Sequence, residues 1–172
     1  IEEEKGLREL FYALKTVSEV IKDIKLTVVG EGSRLEDYKS LATELFLTDR
    51  IEFTGWLSSS QIQNRIPKSS LGVFPSRIES FGLSVIEAMA AGLPVIASTG
   101  GAVPENIEES MTGTLVPVND VQALAREIIS LLRDPKHAES MAKSAKKRVQ
   151  EKFNWDKAAN KTVDLYNLFA GT

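Results

Sequence analysis

The chain has 172 residues, enough for one domain with its own core, and sets 21 Lys and Arg against 24 Asp and Glu for a net charge of −3. That balance excludes capture of nucleic acid by a basic surface, and the lack of cysteine excludes disulfides and thiolate metal sites. A single histidine, His137, leaves little for a Ser-His-Asp triad or a multi-histidine metal centre, and no apolar run nears the ~20 residues of a membrane helix.

The chain opens at Ile1 with Glu-Glu-Glu-Lys-Gly and reads as a piece of a longer protein. Leu7, Leu10, Phe11, Leu14, Val17 and Ile21 recur at helical spacing. Leu26-Thr-Val-Val is a strand that ends in the turn Gly30-Glu-Gly32. Leu35, Tyr38, Leu41, Ala42 and Leu45 form the next helical stripe, and Ile51-Glu-Phe-Thr-Gly55 the next strand. A weaker helix over 58–66 stops near Pro67, and Leu71-Gly-Val-Phe is a third strand closed by Pro75. A helix over 82–91 ends at Gly92 and Pro94, before the strand Val95-Ile-Ala. Residues 104–108 give one helical turn, and Thr114-Leu-Val a fifth strand. Asn119 with Gln122 predicts a capping box opening a helix through Leu132, and two helices follow over 136–152 and 155–169.

Short apolar strands alternating with helices predict an α/β fold: a Rossmann-like parallel sheet flanked by helices on both faces. Ligands of such sheets bind beyond the carboxyl ends of the strands, so the loops 30–33, 55–57, 75–82 and 98–103 are the expected functional edge.

The loop and helix from Pro75 to Ala91 carry the strongest signal. Two carboxylates, Glu79 and Glu87, bracket Gly82 at the expected helix start. The amides of Gly82, Leu83 and Ser84 lack helical acceptors there and, with the helix dipole, attract phosphate; Gly82 lets a ligand approach the backbone. Glu87, about one and a half turns in, suits a ribose diol, and Glu79 suits the hydroxyls of a sugar. Read singly, Glu87 is a solvated helix residue and Glu79 a first-turn acid. Together with Gly82 and the flanking strands they describe a site for a sugar nucleotide. Trp56 either covers the core edge or meets a ligand, Gly30-Glu-Gly32 lacks the third glycine of a dinucleotide fingerprint, and Gly100-Gly101 is by itself a loop. His137 and the lysine-rich 143–152 segment read as solvated surface, with anionic lipid headgroups as the alternative for the latter.

The segment Pro-Ser-Arg-Ile-Glu79-Ser-Phe-Gly-Leu-Ser-Val-Ile-Glu87-Ala-Met-Ala-Ala-Gly-Leu-Pro-Val-Ile-Ala-Ser resembles the E-x7-E signature of the retaining glycosyltransferases with the GT-B fold, the glycosyl transferases of group 1. The blocks Glu4-Lys5-Gly6, Val28-Val29-Gly30-Glu-Gly32, Ile51-Glu-Phe-Thr-Gly55-Trp56, Gly100-Gly101 with Pro104-Glu105, Thr112-Gly113-Thr-Leu-Val-Pro and Phe153-Asn-Trp155 extend the likeness over essentially the whole chain.

The resemblance implies the C-terminal, donor-binding half of such an enzyme, with a first strand and a partner arginine lying upstream of Ile1. Residues 1–152 would form the nucleotide-sugar-binding domain and 153–172 a C-terminal helix crossing to an absent N-terminal domain, leaving Val163, Tyr166 and Phe169 as an apolar stripe. It implies transfer of a hexose from a nucleoside diphosphate sugar, UDP- or GDP-linked, to a glycan, lipid-linked or small-molecule acceptor, as in polysaccharide biosynthesis. Lys5 and Glu79 would be catalytic, and Gly30, Gly32, Trp56, Leu57, Phe81, Gly82, Leu83, Ser84 and Glu87 would bind the donor. It implies neither cofactor nor metal, no nucleic acid, a cytoplasmic place with the full-length protein at the inner membrane face, and inactivity of this piece alone. A sugar-nucleotide epimerase, a sugar phosphorylase of similar fold, and a non-catalytic nucleotide-binding module are the alternatives.

Overall fold

The computed structural model describes residues 1–170, save the side chains of Trp155 and Ala170. Among the described residues, eight α-helices and five strands follow in the expected order: α1 Leu7–Val20, β1 Leu26–Val28, α2 Leu35–Glu44, β2 Ile51–Phe53, α3 Ser59–Arg65, β3 Gly72–Phe74, α4 Leu83–Ala90, β4 Val95–Ser98, α5 Val103–Asn106, β5 Thr114–Val116, α6 Val121–Arg133, α7 Pro135–Lys152 and α8 Trp155–Ala170. All strand pairs are parallel, and the short apolar strands have helices on both sides, as a parallel sheet requires.

Among the described residues the parallel strands form two ladders. β1 pairs with β2, with Leu26 opposite Ile51, and β3–β4–β5 form a separate ladder in which Ile96 faces both Val73 and Thr114. No ladder joins β1 to β3 among the described residues. Both groups nevertheless pack on one apolar cluster, which runs from Phe11, Leu14 and Val17 of α1 through Val28 and Ile96 to Leu124 and Ile128 of α6.

Strand β4 shows the two-sided burial directly. Successive side chains of a strand point to opposite faces. Ile96 joins the α1–α6 cluster, whereas Val95 and Ala97 join a second cluster with Val85 and Met89 of α4, Val103 of α5, and Ala145 and Val149 of α7. At the centre of the first cluster Phe11 is fully buried and stands edge-on to Tyr38 at 5.8 Å and Phe53 at 6.1 Å. Its removal to alanine would cost about 3–5 kcal/mol.

The helix ends obey local chemistry. Ser58 and Gln61 close a capping box on α3. The box expected at Asn119 is not formed: Asn119 turns left-handed with φ +64, and Asp120 alone caps α6 by accepting from the Ala123 amide. A left-handed Asn is tolerated because its short polar side chain can bond locally. His137 is exposed, and its amide donates to Asp134, the N-cap of α7. The described side chains of α8 through Phe169 are exposed, Val163 at 52% and Tyr166 at 70% among them. Residues 171 and 172 of the expected C-terminal segment lie outside the described residues.

Candidate functional site

The parallel strands bring the loops after β1, β2, β3 and β4 to one edge, and the N-terminal turn lies across it. Lys5 ends a single 3-10 turn, Glu3–Lys5, and Gly6 follows with φ +68. A Cβ on Gly6 would stand 2.0 Å from the Pro75 carbonyl oxygen, so the turn rests backbone against backbone on the loop after β3. From there Lys5 Nζ donates to Glu79 Oε2 at 2.9 Å, with the lysine side chain 53% and the glutamate 23% exposed. The Glu79 backbone is held from the other side: its carbonyl accepts the Ala102 amide at 2.9 Å, and a Cβ on Gly101 would stand 2.1 Å from that same oxygen. Glu79 is thereby clamped between the N-terminal turn and the loop after β4.

Gly82 caps α4 in the left-handed region, φ +81, a conformation that favours glycine. Its missing Cβ faces Asn106 and Val103, not solvent, so the backbone conformation is what demands glycine here. Among the described residues the amides of Gly82, Leu83 and Ser84 donate to no protein acceptor; the first helical bonds run from Val85 and Ile86 back to the Gly82 carbonyl. Leu83, Ser84 and Glu87 are exposed, and spacings of three and four residues put them on one face of α4. The Glu87 carboxylate makes no hydrogen bond or ion pair among the described residues, while its backbone carbonyl accepts from the Ala91 amide at 3.0 Å. Phe81, beside the cap, is 47% exposed and stands edge-on to Phe153 at 6.2 Å.

The loops after β1 and β2 form the far side of the edge. The Gly30 amide donates to the Gly55 carbonyl at 2.9 Å, and the Trp56 amide donates to Glu31 Oε1 at 3.3 Å. Trp56 is 70% exposed, which removes the reading that it covers the core edge. Leu57 beside it is half-buried. Gly30 borders open space, whereas the Cβ position of Gly32 is filled by the backbone of Ile1. Glu2 accepts from the amide and hydroxyl of Ser33, which hold its carboxyl below the usual carboxylate range. The N-terminal segment is thus stitched to the loop after β1 as well as to the loop after β3.

The structure adds three residues that spacing alone did not single out. Arg77 reaches Glu3 at 3.2 Å and Glu9 at 2.7 Å, and Glu9 in turn holds the guanidinium above its ordinary value. Asn106 donates its side-chain amide to the Phe81 carbonyl, bracing the residue before Gly82. Arg148, which the lysine-rich segment suggested was solvated, donates to the Asn106 carbonyl at 2.9 Å and pairs with Glu108, tying α7 to the end of α5. The Pro-Ser-Arg run before Glu79 was the only sequence signal for any of them.

A cavity of about 680 Å³ lies elsewhere, between α7, α8 and the loop before β5, lined by Met111, Thr112, Ser144, Lys157 and Lys161 among others. Among the described residues no group of three or more His, Asp or Glu is arranged to hold a metal. No described helix is long and apolar enough to cross a membrane.

Free amides, a lysine–carboxylate pair and an open carboxylate thus share one sheet edge. The family model for glycosyl transferases group 1 matches residues 1–148. The chain is 29% identical over 168 residues to the GDP-mannose-dependent alpha-(1-6)-phosphatidylinositol monomannoside mannosyltransferase of Mycobacterium tuberculosis, covering 94% of the chain and 44% of that protein. The structure of sucrose-phosphate synthase from Thermosynechococcus elongatus superposes with a TM-score of 0.85 at 34% identity, covering 99% of the chain and 44% of that one. The C-terminal domain of the glycosyl transferase group 1 protein LpcC from Francisella tularensis superposes with a TM-score of 0.82 at 29% identity, covering 90% of the chain and 82% of that domain. The chain spans 40% to 44% of the length of the first curated relatives it matches. These matches do not favour the epimerase, phosphorylase or non-catalytic alternatives. The chain belongs to the group 1 glycosyltransferases and has the fold of the C-terminal domain of GT-B enzymes.

Proposed function

We propose that this chain is the donor-binding half of a retaining hexosyltransferase that uses a nucleoside diphosphate sugar. One observation carries the reading: Lys5, Glu79, the free amides of Gly82, Leu83 and Ser84, and Glu87 share one open edge. The diphosphate lies on the α4 amides, where the helix dipole and unbonded N–H groups favour anions. Lys5 then meets the charge that grows on the leaving diphosphate, a contact stronger in the transition state than in the ground state. Glu79 orients the sugar hydroxyls, and Glu87 accepts from the ribose diol. Trp56 and Leu57 flank the base, and Gly30 offers an open backbone beside it. No metal is required in this scheme, because the ammonium and amides neutralise the leaving group.

The related mannosyltransferase, whose name specifies GDP-mannose, supports a nucleotide-linked donor. The acceptor, a glycan or a lipid-linked sugar, is then bound by an upstream domain. The interruption between β1 and β3 supports an additional upstream strand, since Ile1 donates to the Glu31 carbonyl in the loop after β1 while Glu4 accepts from Arg77 after β3. Residues 1–152 are the donor domain in this reading, and α8 crosses to the upstream one. The complete enzyme works in the cytoplasm, at the inner membrane face when its acceptor is lipid-linked, and this half alone does not turn over. Calorimetric titration of the chain with UDP, GDP, ADP and their sugar forms tests the assignment. Glu87→Gln should weaken the binding of whichever nucleotide binds by about tenfold, the loss of a charge-assisted hydrogen bond. Unchanged affinity for all of them would reject the ribose role.

A further inference from the structure

Arg77 sits two positions before Glu79, yet its side chain turns away from the open edge and into the base of the N-terminal turn. Its guanidinium joins Glu3 Oε1 at 3.2 Å and Glu9 Oε1 at 2.7 Å, and its amide donates to the Glu4 carbonyl at 2.7 Å. Glu3 and Glu4 precede Lys5 in the same 3-10 turn, and Glu9 lies in the first turn of α1 just after it. One residue therefore grips the chain on both sides of Lys5, while its neighbour Glu79 receives the Lys5 ammonium. Arg34, at 4.0 Å from Glu3, adds a weaker tether from the loop after β1.

The pairing is a poor stabiliser on its own terms. The Glu9 side chain is 12% exposed, and its second carboxylate oxygen is buried without a partner, as is Arg77 Nε. A buried pair with an orphaned donor and acceptor contributes little net stability, and similar-sized apolar residues often do as well. What an apolar pair would not supply is a planar fork that holds two separate carboxylates in fixed directions.

We propose that Arg77 is a positioning residue for Lys5, fixing the N-terminal turn through Glu3, Glu4 and Glu9 so that the ammonium faces the diphosphate. The proposal rests on the reading that Lys5 meets that group, and it extends the reading to a residue that touches no ligand. Lysine at this position supplies one point charge and reaches one carboxylate at a time, so it restores part of the effect.

The test is a ratio. For whichever of UDP, GDP and ADP binds tightest, affinities of the diphosphate and of its monophosphate are measured by calorimetry on the chain and on Lys5→Met, Arg77→Met, Arg77→Lys and the Lys5→Met/Arg77→Met double variant. Lys5→Met should lower the diphosphate-to-monophosphate ratio by about tenfold. Arg77→Met should lower it by roughly threefold or more with the monophosphate affinity held within about twofold, Arg77→Lys by less, and the double variant by no more than Lys5→Met alone, as expected of residues acting through one group. A ratio that Lys5→Met lowers and Arg77→Met leaves unchanged overturns the positioning role. A ratio that Lys5→Met itself leaves unchanged overturns the reading of Lys5 and the role of Arg77 with it. Should Arg77→Met not fold, Glu3→Gln, at a side chain 59% exposed, removes one arm of the grip. A lowered ratio in that variant supports the proposal, and an unchanged one overturns it.

Discussion

Lys5 and Glu79 are 74 positions apart in sequence and meet at 2.9 Å in space. A lysine–carboxylate pair so open to solvent is worth about 1 kcal/mol or less. Little would therefore be lost if, as proposed, the phosphate of a bound diphosphate displaced Glu79 from the ammonium. Glu79→Gln should leave the affinity for a free nucleoside diphosphate unchanged or slightly raised, because Lys5 loses its competitor. The same substitution should lower turnover of the full-length enzyme by about a hundredfold or more through misorientation of the sugar. Calorimetry with the diphosphate and an initial-rate assay with the sugar form separate the two effects.

The contact between the N-terminal turn and the loop after β3 is steric as well as ionic. Gly6→Ala places a Cβ 2.0 Å from the Pro75 carbonyl oxygen, whereas Gly92→Ala, at φ +80, meets only the distal carbon of Lys146 at 3.9 Å. The second substitution carries the left-handed backbone penalty alone, about 1–2 kcal/mol. The first should cost about 3–5 kcal/mol, since strain and overlap add. Urea denaturation of both variants measures the difference, and equal losses would mean the turn moves freely off the loop.

Arg148 braces the start of α4 through two relays: it holds the Asn106 carbonyl, and Asn106 holds the Phe81 carbonyl before Gly82. Its side chain is 17% exposed and also pairs with Glu108. Arg148→Met should destabilise the chain by about 2–3 kcal/mol, the range for truncating a hydrogen-bonded charge with buried partners. Amide exchange should quicken at Glu105 and at Val85 and Ile86, the first bonded amides of α4. Loss of stability without faster exchange at α4 would break the relay.

Tyr38 gives the fold an alkaline limit. Burial, with Glu9 and Glu3 adding repulsion, raises its phenol above the ordinary 10.0. Below about pH 10 the phenol is neutral in both states and contributes no pH dependence. As pH rises through 10 the unfolded chain releases this proton before the folded one does, so stability falls until the folded group also ionises. Tyr38→Phe should flatten the decline of unfolding free energy as pH rises above about 10. An unchanged slope would assign the decline to other groups.

Helix α8 buries none of its described side chains through Phe169, and Val163, Leu165 and Leu168 are all more than half exposed. Sedimentation of the isolated chain should show concentration-dependent self-association that disappears on truncation after Phe153, with the urea midpoint unchanged. A strictly monomeric full chain would contradict an interactive stripe.

The sequence made the alternation of strands and helices legible, because each element carries its own period: the heptad-like stripe of α1, the apolar triplets of the strands, the Gly92–Pro94 stop after α4. The start of α4 at Gly82, between Glu79 and Glu87, was legible because a glycine before an apolar helical stripe is a local pattern. The break between β1 and β3 was not, since strand pairing is decided by what lies beside a strand in space. Arg77 was hidden for the same reason: an arginine next to a functional glutamate reads as surface until α1 is seen to bring Glu9 beneath it. Arg148 looked solvated because its neighbours on α7 are lysines, and only the docking of α7 on α5 shows its different task. Asn119 misled because Asn and Asp adjoin, and both suit a cap.

The most direct test of the account is to record amide and indole resonances of the chain while adding UDP, GDP and ADP in turn. At least one of them should shift the amides of Gly82, Leu83 and Ser84 saturably, together with the Trp56 indole, and Lys5→Met should weaken that response. Shifts confined to the cavity near Lys157 and Lys161, or none at the start of α4 with any of the three, would contradict it.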